Sequence, residues 1–481
     1  MRFVADLLYV LAGLAYLPVA LYTALVVGKN RRGWGQRFGR VPKFDPSRPR
    51  IWMHAVSLGE INATPLLVEA LRRALPEVDF VFSTTTDTGF ARAVQLFGAE
   101  RVFRFPLDFS PVVARTLRRI RPSMIVLVEL EVWYNLVRMA TARGVPVVVV
   151  NGRLTERSAR RFALLGRFGR RMFADLAWVG AQDEDIARRF RAIGVPEERV
   201  SVTSSMKWDS AVVTDRVDGD AALARALGLD DGRPLWVCGS TGPGEDAMVL
   251  DAYRNLAKRR GEAAREAVDV EAKSGAASAL RLAIVPRKPE RFDEVARIIE
   301  RSGFVCIRRT THPDDTPVEK LPDAAVILGD TMGELRKFYA LADVVFVGRS
   351  LVPMGGSDPM EAAALGKPIV VGRHTDNFRE PIEALLEADA VRIAEEPSDL
   401  ADIVLAMLLD NSLADGLRAR AKQVVLDHQG ATERTAERLV RLFHEATARA
   451  SRLYRRSDGK SVESKTRVDS EGKTCGKPAG R

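Results

Sequence analysis

Short apolar runs alternate with amphipathic stretches along most of this chain. Runs at 51–55, 80–83, 124–128, 147–150 and 178–181 are mostly apolar and too short for helices. Between them, stretches near 60–74, 87–97, 110–120, 132–143 and 157–172 repeat apolar residues at the three- and four-residue spacing of a helix packed along one face. A strand that does not alternate with polar residues is covered on both sides, so this order predicts a parallel sheet between helical layers. The pattern restarts after residue 210, with strands at 235–239, 282–285, 325–328, 344–347 and 369–371 and helices near 245–260, 290–302, 334–341 and 359–366. The expected fold is α/β: two Rossmann-like, doubly wound halves at 50–212 and 233–446, joined by the stretch 210–232. A ligand cleft is expected between them at the carboxyl ends of the strands. Long helices are expected over 397–446. Residues 261–280 read as a polar, Ala-rich insertion, most simply a surface loop.

The N-terminus departs from this pattern. Residues 7–27 carry no charge. As a helix such a run spans about 31 Å, close to the hydrocarbon thickness of a bilayer. Residues 1–28 are therefore expected to form a membrane anchor, spanning or interfacial. Lys29, Arg31, Arg32, Arg37 and Arg40 follow without an acid, making 29–49 a basic juxtamembrane segment and placing the rest of the chain on the cytoplasmic face. A cleaved signal peptide fits less well, because the basic charge follows the apolar run and no clear A-x-A site comes after it.

Charge and cysteine usage narrow the partners. The formal net charge is +10. Residues 29–40 contribute +5, and 451–481, with nine Lys/Arg against four Asp/Glu, contribute another +5, so the rest sums to zero. That distribution suits a membrane surface and argues against nucleic acid. The segment 451–481 reads as a disordered basic tail. Three cysteines far apart exclude a disulfide framework and a thiolate zinc cluster, and the five histidines never fall at metal-ligand spacing.

Candidate chemistry collects at strand ends. Ser57 and Gly59 precede Glu60, in the first turn of the helix after the first strand, where a carboxylate is favoured and could serve as a general base. Gly59 would permit a tight strand-to-helix turn. A plain helix-start acid has the same position, and Ser57 has the position of an N-cap. Glu129 and Glu131 follow another strand on one side of an extended segment and could meet sugar hydroxyls or a cationic group, or simply start a helix. Arg153 and Lys207 end later strands and suit a carboxylate or phosphate. In the second half, Ser240 and Thr241, then Pro286 and Arg287, then Met332, Gly333 and Glu334, close successive strands with small or charged residues. Asp358, Pro359, Met360 and Glu361 open a helix beyond the next strand, and Glu361 could accept from ribose hydroxyls.

Several of these segments occur together as HAVSLGE at 54–60, STTTDTG at 83–89, ELEVWYN at 129–135, NGRLTERS at 151–158, VPRKPERF at 285–292, GDTMGEL at 329–335 and PMEAAALGKP at 359–368. From about residue 34 (WGQRFG) to about 440 the chain resembles the 3-deoxy-D-manno-octulosonic acid (Kdo) transferases of lipopolysaccharide and lipid A biosynthesis. The resemblance implies a GT-B glycosyltransferase architecture: two Rossmann-like domains facing a cleft, with an N-terminal membrane-anchor helix in the inner (cytoplasmic) membrane. It implies an inverting, metal-independent transferase with no cofactor, using CMP-Kdo as donor and the lipid A precursor (lipid IVA) as acceptor. Under it, Glu60 is the catalytic base and Glu129 and Lys207 support the transition state. Ser240, Thr241, Pro286, Arg287, Met332, Gly333, Glu334, Asp358, Pro359, Met360 and Glu361 belong to the CMP side, and Ser57, Gly59, Glu131 and Arg153 to the acceptor side. Where the family usually reads GGHNPLE, this chain reads GGSDPME, with Ser357 and Asp358 in place of His and Asn. A different GT-B transferase or a sugar-nucleotide epimerase using a UDP-sugar would share the architecture but not HAVSLGE together with GDTMGEL. A membrane-tethered binding protein on the same scaffold would not need Glu60, Arg287 and Glu361 together.

Overall fold

The computed structural model describes residues 5–7, 9–11, 13–15, 18, 33–266 and 280–466. They form two compact units, the first running to Ser210 and resuming at Gly430, the second comprising Ala211–Gln429. Each is built on a seven-stranded, wholly parallel sheet.

The first sheet contains β1 (Arg50–His54), β2 (Asp79–Thr84), β3 (Val102–Arg104), β4 (Met124–Val128), β5 (Val147–Gly152), β6 (Trp178–Ala181) and β7 (Val200–Val202), in the order β3-β2-β1-β4-β5-β6-β7. The order reverses between β1 and β4, and crossovers diverging from that point leave a crevice at the carboxyl ends of these two strands. The second sheet contains β8 (Leu235–Thr241), β9 (Arg281–Pro286), β10 (Val305–Arg308), β11 (Ala325–Leu328), β12 (Val344–Val347), β13 (Ile369–Gly372) and β14 (Val391–Ala394), ordered β10-β11-β9-β8-β12-β13-β14. Its reversal lies between β8 and β12. All ten expected strands are present. The four unforeseen ones, β3, β7, β10 and β14, are short edge strands or close the ends of the sheets, and β7, β10 and β14 are not fully buried.

The chain end corrects two expectations. The helix Ala431–Thr466 buries Ala431, Ala436, Leu439, Leu442 and Phe443 in one cluster with Leu67, Val68 and Leu71 of the helix Pro65–Ala74. Residues 431–446, assigned from the sequence to the second half, therefore belong to the first unit. The same helix carries 451–466, read as disordered tail; no Gly or Pro interrupts it from 431 to 458. Asp209 holds its start, accepting from the Gly430 N–H at 2.6 Å and the Thr432 N–H. The remainder of the tail and most of the 261–280 insertion lie outside the described residues, although the helix Glu245–Glu266 enters the insertion.

Most of the expected anchor and residues 29–32 also lie outside them. Among the described residues no helix is long and apolar enough to cross a membrane. Arg37, counted with the basic cluster, is buried and donates to the Thr85 carbonyl at 2.8 Å, so it braces the sheet edge instead of presenting charge at the surface.

In the second unit the loops at the reversal are tied by one fully buried carboxylate. Glu245 accepts from the N–H groups of Gly242 (2.8 Å), Arg349, Ser350 (2.8 Å) and Leu351 (2.9 Å), joining the loop after β8 to the loop after β12. Replacing it by Ala strands buried donors that cost about 1–3 kcal/mol each. Glu245→Ala should destabilise the second unit by about 3 kcal/mol or more, read as a fall in its urea unfolding midpoint; an unchanged midpoint would show that water replaces the carboxylate.

Candidate active site

In the first unit three carboxylates gather at the β1/β4 reversal. After β1 the chain passes Ala55 and Val56 and enters the helix Leu58–Asn62 with Ser57 as N-cap. The Glu60 N–H donates to Ser57 Oγ at 3.4 Å, the Ser57 hydroxyl donates to one Glu60 carboxylate oxygen and the Val56 N–H to the other, both at 2.8 Å. This is a variant of the capping box, with the carboxylate reaching back to Val56. The STTTDTG loop fixes Val56 in turn: its carbonyl accepts from the Thr86 hydroxyl at 3.0 Å and the Thr86 N–H at 3.2 Å. Gly89 lets the two loops touch, since a Cβ there would stand 3.1 Å from that carbonyl. Gly59 has a different role from the one expected: it lies inside the helix without positive φ, so the turn does not need glycine, and a Cβ would meet only Ser57 Oγ at 4.0 Å. What it contributes is open space beside Glu60.

After β4 the chain turns through Glu129, held left-handed at φ 63°, to Glu131. Trp133 Nε1 donates to Glu131 Oε2 at 3.2 Å. Lys207 Nζ lies 3.8 Å from Glu129 Oε1. Burial pushes the Glu60 carboxyl above its ordinary range against its two hydrogen bonds, and the Glu129 charge adds to the push. Burial and then the Glu60 charge push Glu131 up to about 7. The site thus holds two neighbouring carboxyls that are both pushed upward, a setting suited to general acid–base work. Arg153 follows β5 and is exposed. His54 is buried, stacked on Phe105 at 3.8 Å and held uncharged, its pKa pressed down to about 3 by burial, so it belongs to the packing beneath the site.

The second unit assembles another group at its own carboxyl-terminal edge. Ser240 is buried and left-handed at φ 57°, and the β8–β9 register shifts around it. The Thr241 hydroxyl donates to Asp246 at 2.7 Å, its carbonyl accepts from the Arg287 N–H at 3.3 Å, and Pro286 is its strand partner. Arg287 itself is exposed. Met332 is exposed, whereas the Glu334 carboxylate is engaged by Arg309 at 2.9 and 3.1 Å, the Thr331 hydroxyl at 2.6 Å and Lys337 at 3.0 Å, which hold its pKa down at about 2 despite burial. Glu334 therefore shapes its loop and has little capacity left for a ligand. Asp358 accepts from the Met360 N–H at 2.9 Å. Pro359 and Met360 are buried, and Glu361, in the first turn of the helix Met360–Ala364, has its carboxyl pushed up by its surroundings. Tyr339, absent from the sequence reading, packs its hydroxyl against Gly239, where a Cβ would come within 2.2 Å of it. That hydroxyl and the buried Ser357 Oγ have no partner among the described residues.

The family described as 3-Deoxy-D-manno-octulosonic-acid transferase (kdotransferase) matches residues 32–210. The 3-deoxy-D-manno-octulosonic acid transferase of Bordetella pertussis is 35% identical over 428 residues, 85% of this chain and 94% of that protein. That of Haemophilus influenzae is 32% identical over 415 residues, 85% and 91% of the two chains. This chain belongs to the Kdo transferase family. A glycosyltransferase from Rickettsia africae has the same GT-B-like fold at 10% identity and a TM-score of 0.50, over 83% of this chain and 99% of that one. In this Kdo transferase the sequence-derived residues divide between the units: Ser57, Gly59, Glu60, Glu129, Glu131, Arg153 and Lys207 lie in the first, and Ser240 to Glu361 in the second. Glu245 and Tyr339 were missed because a helix-start acid and an apolar-face aromatic have no sequence signal of their own.

Lys207 is the cation beside Glu129. Lys207→Met removes that pairing, so the left-handed turn at Glu129 should loosen, read as faster amide exchange over 129–131. Unchanged exchange would show that the turn does not depend on Lys207.

Proposed function

We propose that this chain is an inverting, metal-independent glycosyltransferase that moves Kdo from CMP-Kdo to the lipid A precursor lipid IVA. The acceptor hydroxyl attacks the anomeric carbon of Kdo and gives its proton to Glu60. The bond from that carbon to the CMP phosphate breaks, and CMP leaves with the electron pair. Lys207 and Glu129 support charge near the attacked carbon. Ser57, Glu131 and Arg153 address the acceptor, and the open face at Gly59 gives it room. In the second unit, Arg287 offsets charge on the departing phosphate, Ser240 and Thr241 line its approach, backbone groups at Met332 and Gly333 read the base, and Glu361 addresses the ribose. CMP carries its own phosphate, so the reading needs no cofactor.

The observation that carries this reading is the hold on Glu60: a capped carboxylate at the reversal of the sheet, raised in pKa and beside a second acid, in a chain of the Kdo transferase family. The base must be ionised, so transfer should rise with pH through a limb above the ordinary carboxylate value. Glu60→Ala should lower turnover by about 100- to 10,000-fold while CMP binding, measured by calorimetry, is unchanged. Near-normal turnover would reject Glu60 as the base.

The reading places the enzyme at the inner membrane, on its cytoplasmic face, with residues 1–28 as anchor. Two features of the first unit support a lipid-facing surface. The described N-terminal residues Leu7, Val10, Leu11 and Leu14 are exposed at helical spacing. The helices Glu156–Leu164 and Gly166–Ala174, which follow β5, expose Leu164 (86%) and Leu165 (49%). Seven arginines and one acid accompany them between 153 and 171, a cluster hidden in the zero sum of the body. Apolar tips ringed by arginine suit an anionic bilayer. Leu164→Ser with Leu165→Ser should weaken sedimentation with vesicles containing acidic phospholipid and leave the thermal midpoint in place; undiminished binding would move the contact elsewhere.

A further inference from the structure

The loop carrying Glu129 and Glu131 runs directly into the helix Tyr134–Thr141, and that helix lacks a side-chain cap of its own. Two of its first N–H groups are nonetheless engaged from outside the helix. Asn135 and Leu136 donate to the two oxygens of buried Asp108, each at 2.8 Å. The Tyr9 hydroxyl lies against Asp108 and favours its charged form. Asp6 adds a second tie: its Oδ1 accepts from the Asn135 side-chain amide and from the Ser110 N–H, both at 2.9 Å. Ala5 is buried in the same apolar cluster as Val132 and Tyr134, with Tyr9 and Leu130 packed against it. Two residues of the N-terminal segment thus complete the support of the catalytic loop from below.

We propose that Asp6 and Tyr9 are positioning residues for Kdo transfer, so that the N-terminal segment braces the Glu129–Glu131 loop as well as tethering the enzyme. The inference rests on the transferase reading but stands on its own geometry. An uncapped helix start frays, and fraying here releases the turn that aims both carboxylates. Burial holds the Asp108 carboxyl up at about 7, against the hydrogen bonds it accepts from the N–H groups and against the Tyr9 hydroxyl; removing one of these favours its neutral form and loosens the others.

The test uses the full chain in detergent with dispersed acceptor, where tethering is irrelevant. Tyr9→Phe and Asp6→Ala should each lower kcat by about tenfold with the KM for CMP-Kdo unchanged. Asp6→Asn keeps an oxygen that can accept both donors and should restore most of the rate. Amide exchange at Asn135 and Leu136, which needs no turnover, should quicken in Tyr9→Phe and Asp6→Ala and return in Asp6→Asn. Normal kcat together with unchanged exchange in the first two variants would overturn the proposal, as would equal losses in Asp6→Ala and Asp6→Asn. A wild-type chain that transfers no Kdo but shows this exchange pattern would reject the transferase reading and leave the brace standing.

Discussion

The carboxylate of Glu60 is pulled in two directions. Two short hydrogen bonds favour its charge, while burial and the Glu129 charge resist it. Under the proposed transfer, a base useful near neutral pH needs this opposition, because a freely solvated glutamate is too weak a base and an uncompensated buried one would never ionise. The capping geometry also fixes where the lone pairs are. Ser57 and Val56 each occupy one oxygen, and Val56 is locked by the Thr86 contacts of the neighbouring loop. Two distant sequence motifs, HAVSLGE and STTTDTG, therefore act as one device.

The second unit uses a buried glutamate to the opposite end. Glu245 also sits at the reversal of its sheet, but backbone N–H groups from two loops consume its acceptor capacity. Glu334 is likewise spent on Arg309, Thr331 and Lys337. What remains open beside them is Arg287, the backbone of the Met332–Gly333 turn and Glu361. Equal residue types at equivalent strand ends thus divide into scaffold and available chemistry, and the division follows from how many hydrogen bonds each carboxylate already accepts.

The central strands were legible in the sequence because helices cover both their faces, which leaves unbroken apolar runs such as 124–128 and 344–347. The edge strands were not: Val200–Val202 and Val305–Arg308 are short and partly exposed, so hydrophobicity does not mark them. The carboxylate cluster was legible from its place after strands. Its support was not, because Asp6 and Asn135 are 129 residues apart, and only the fold brings them within 2.9 Å. Composition misled at Arg37, a cation used to brace a sheet edge, and at the arginines of 153–171, cancelled in the total by acids elsewhere. Gly59 shows a further limit: a glycine in a motif suggests a special backbone, whereas here it supplies a missing side chain.

The return of the chain to the first unit at Gly430 makes Ala211–Gln429 an insertion within a discontinuous body. During synthesis the inserted portion is complete while the surrounding body still lacks the segment that covers Leu67, Val68 and Leu71. An apolar patch on the nascent protein stays open until residues 431–443 have been made and have folded back. Loss of the helix that begins at Ala431 would accordingly damage the unit made first.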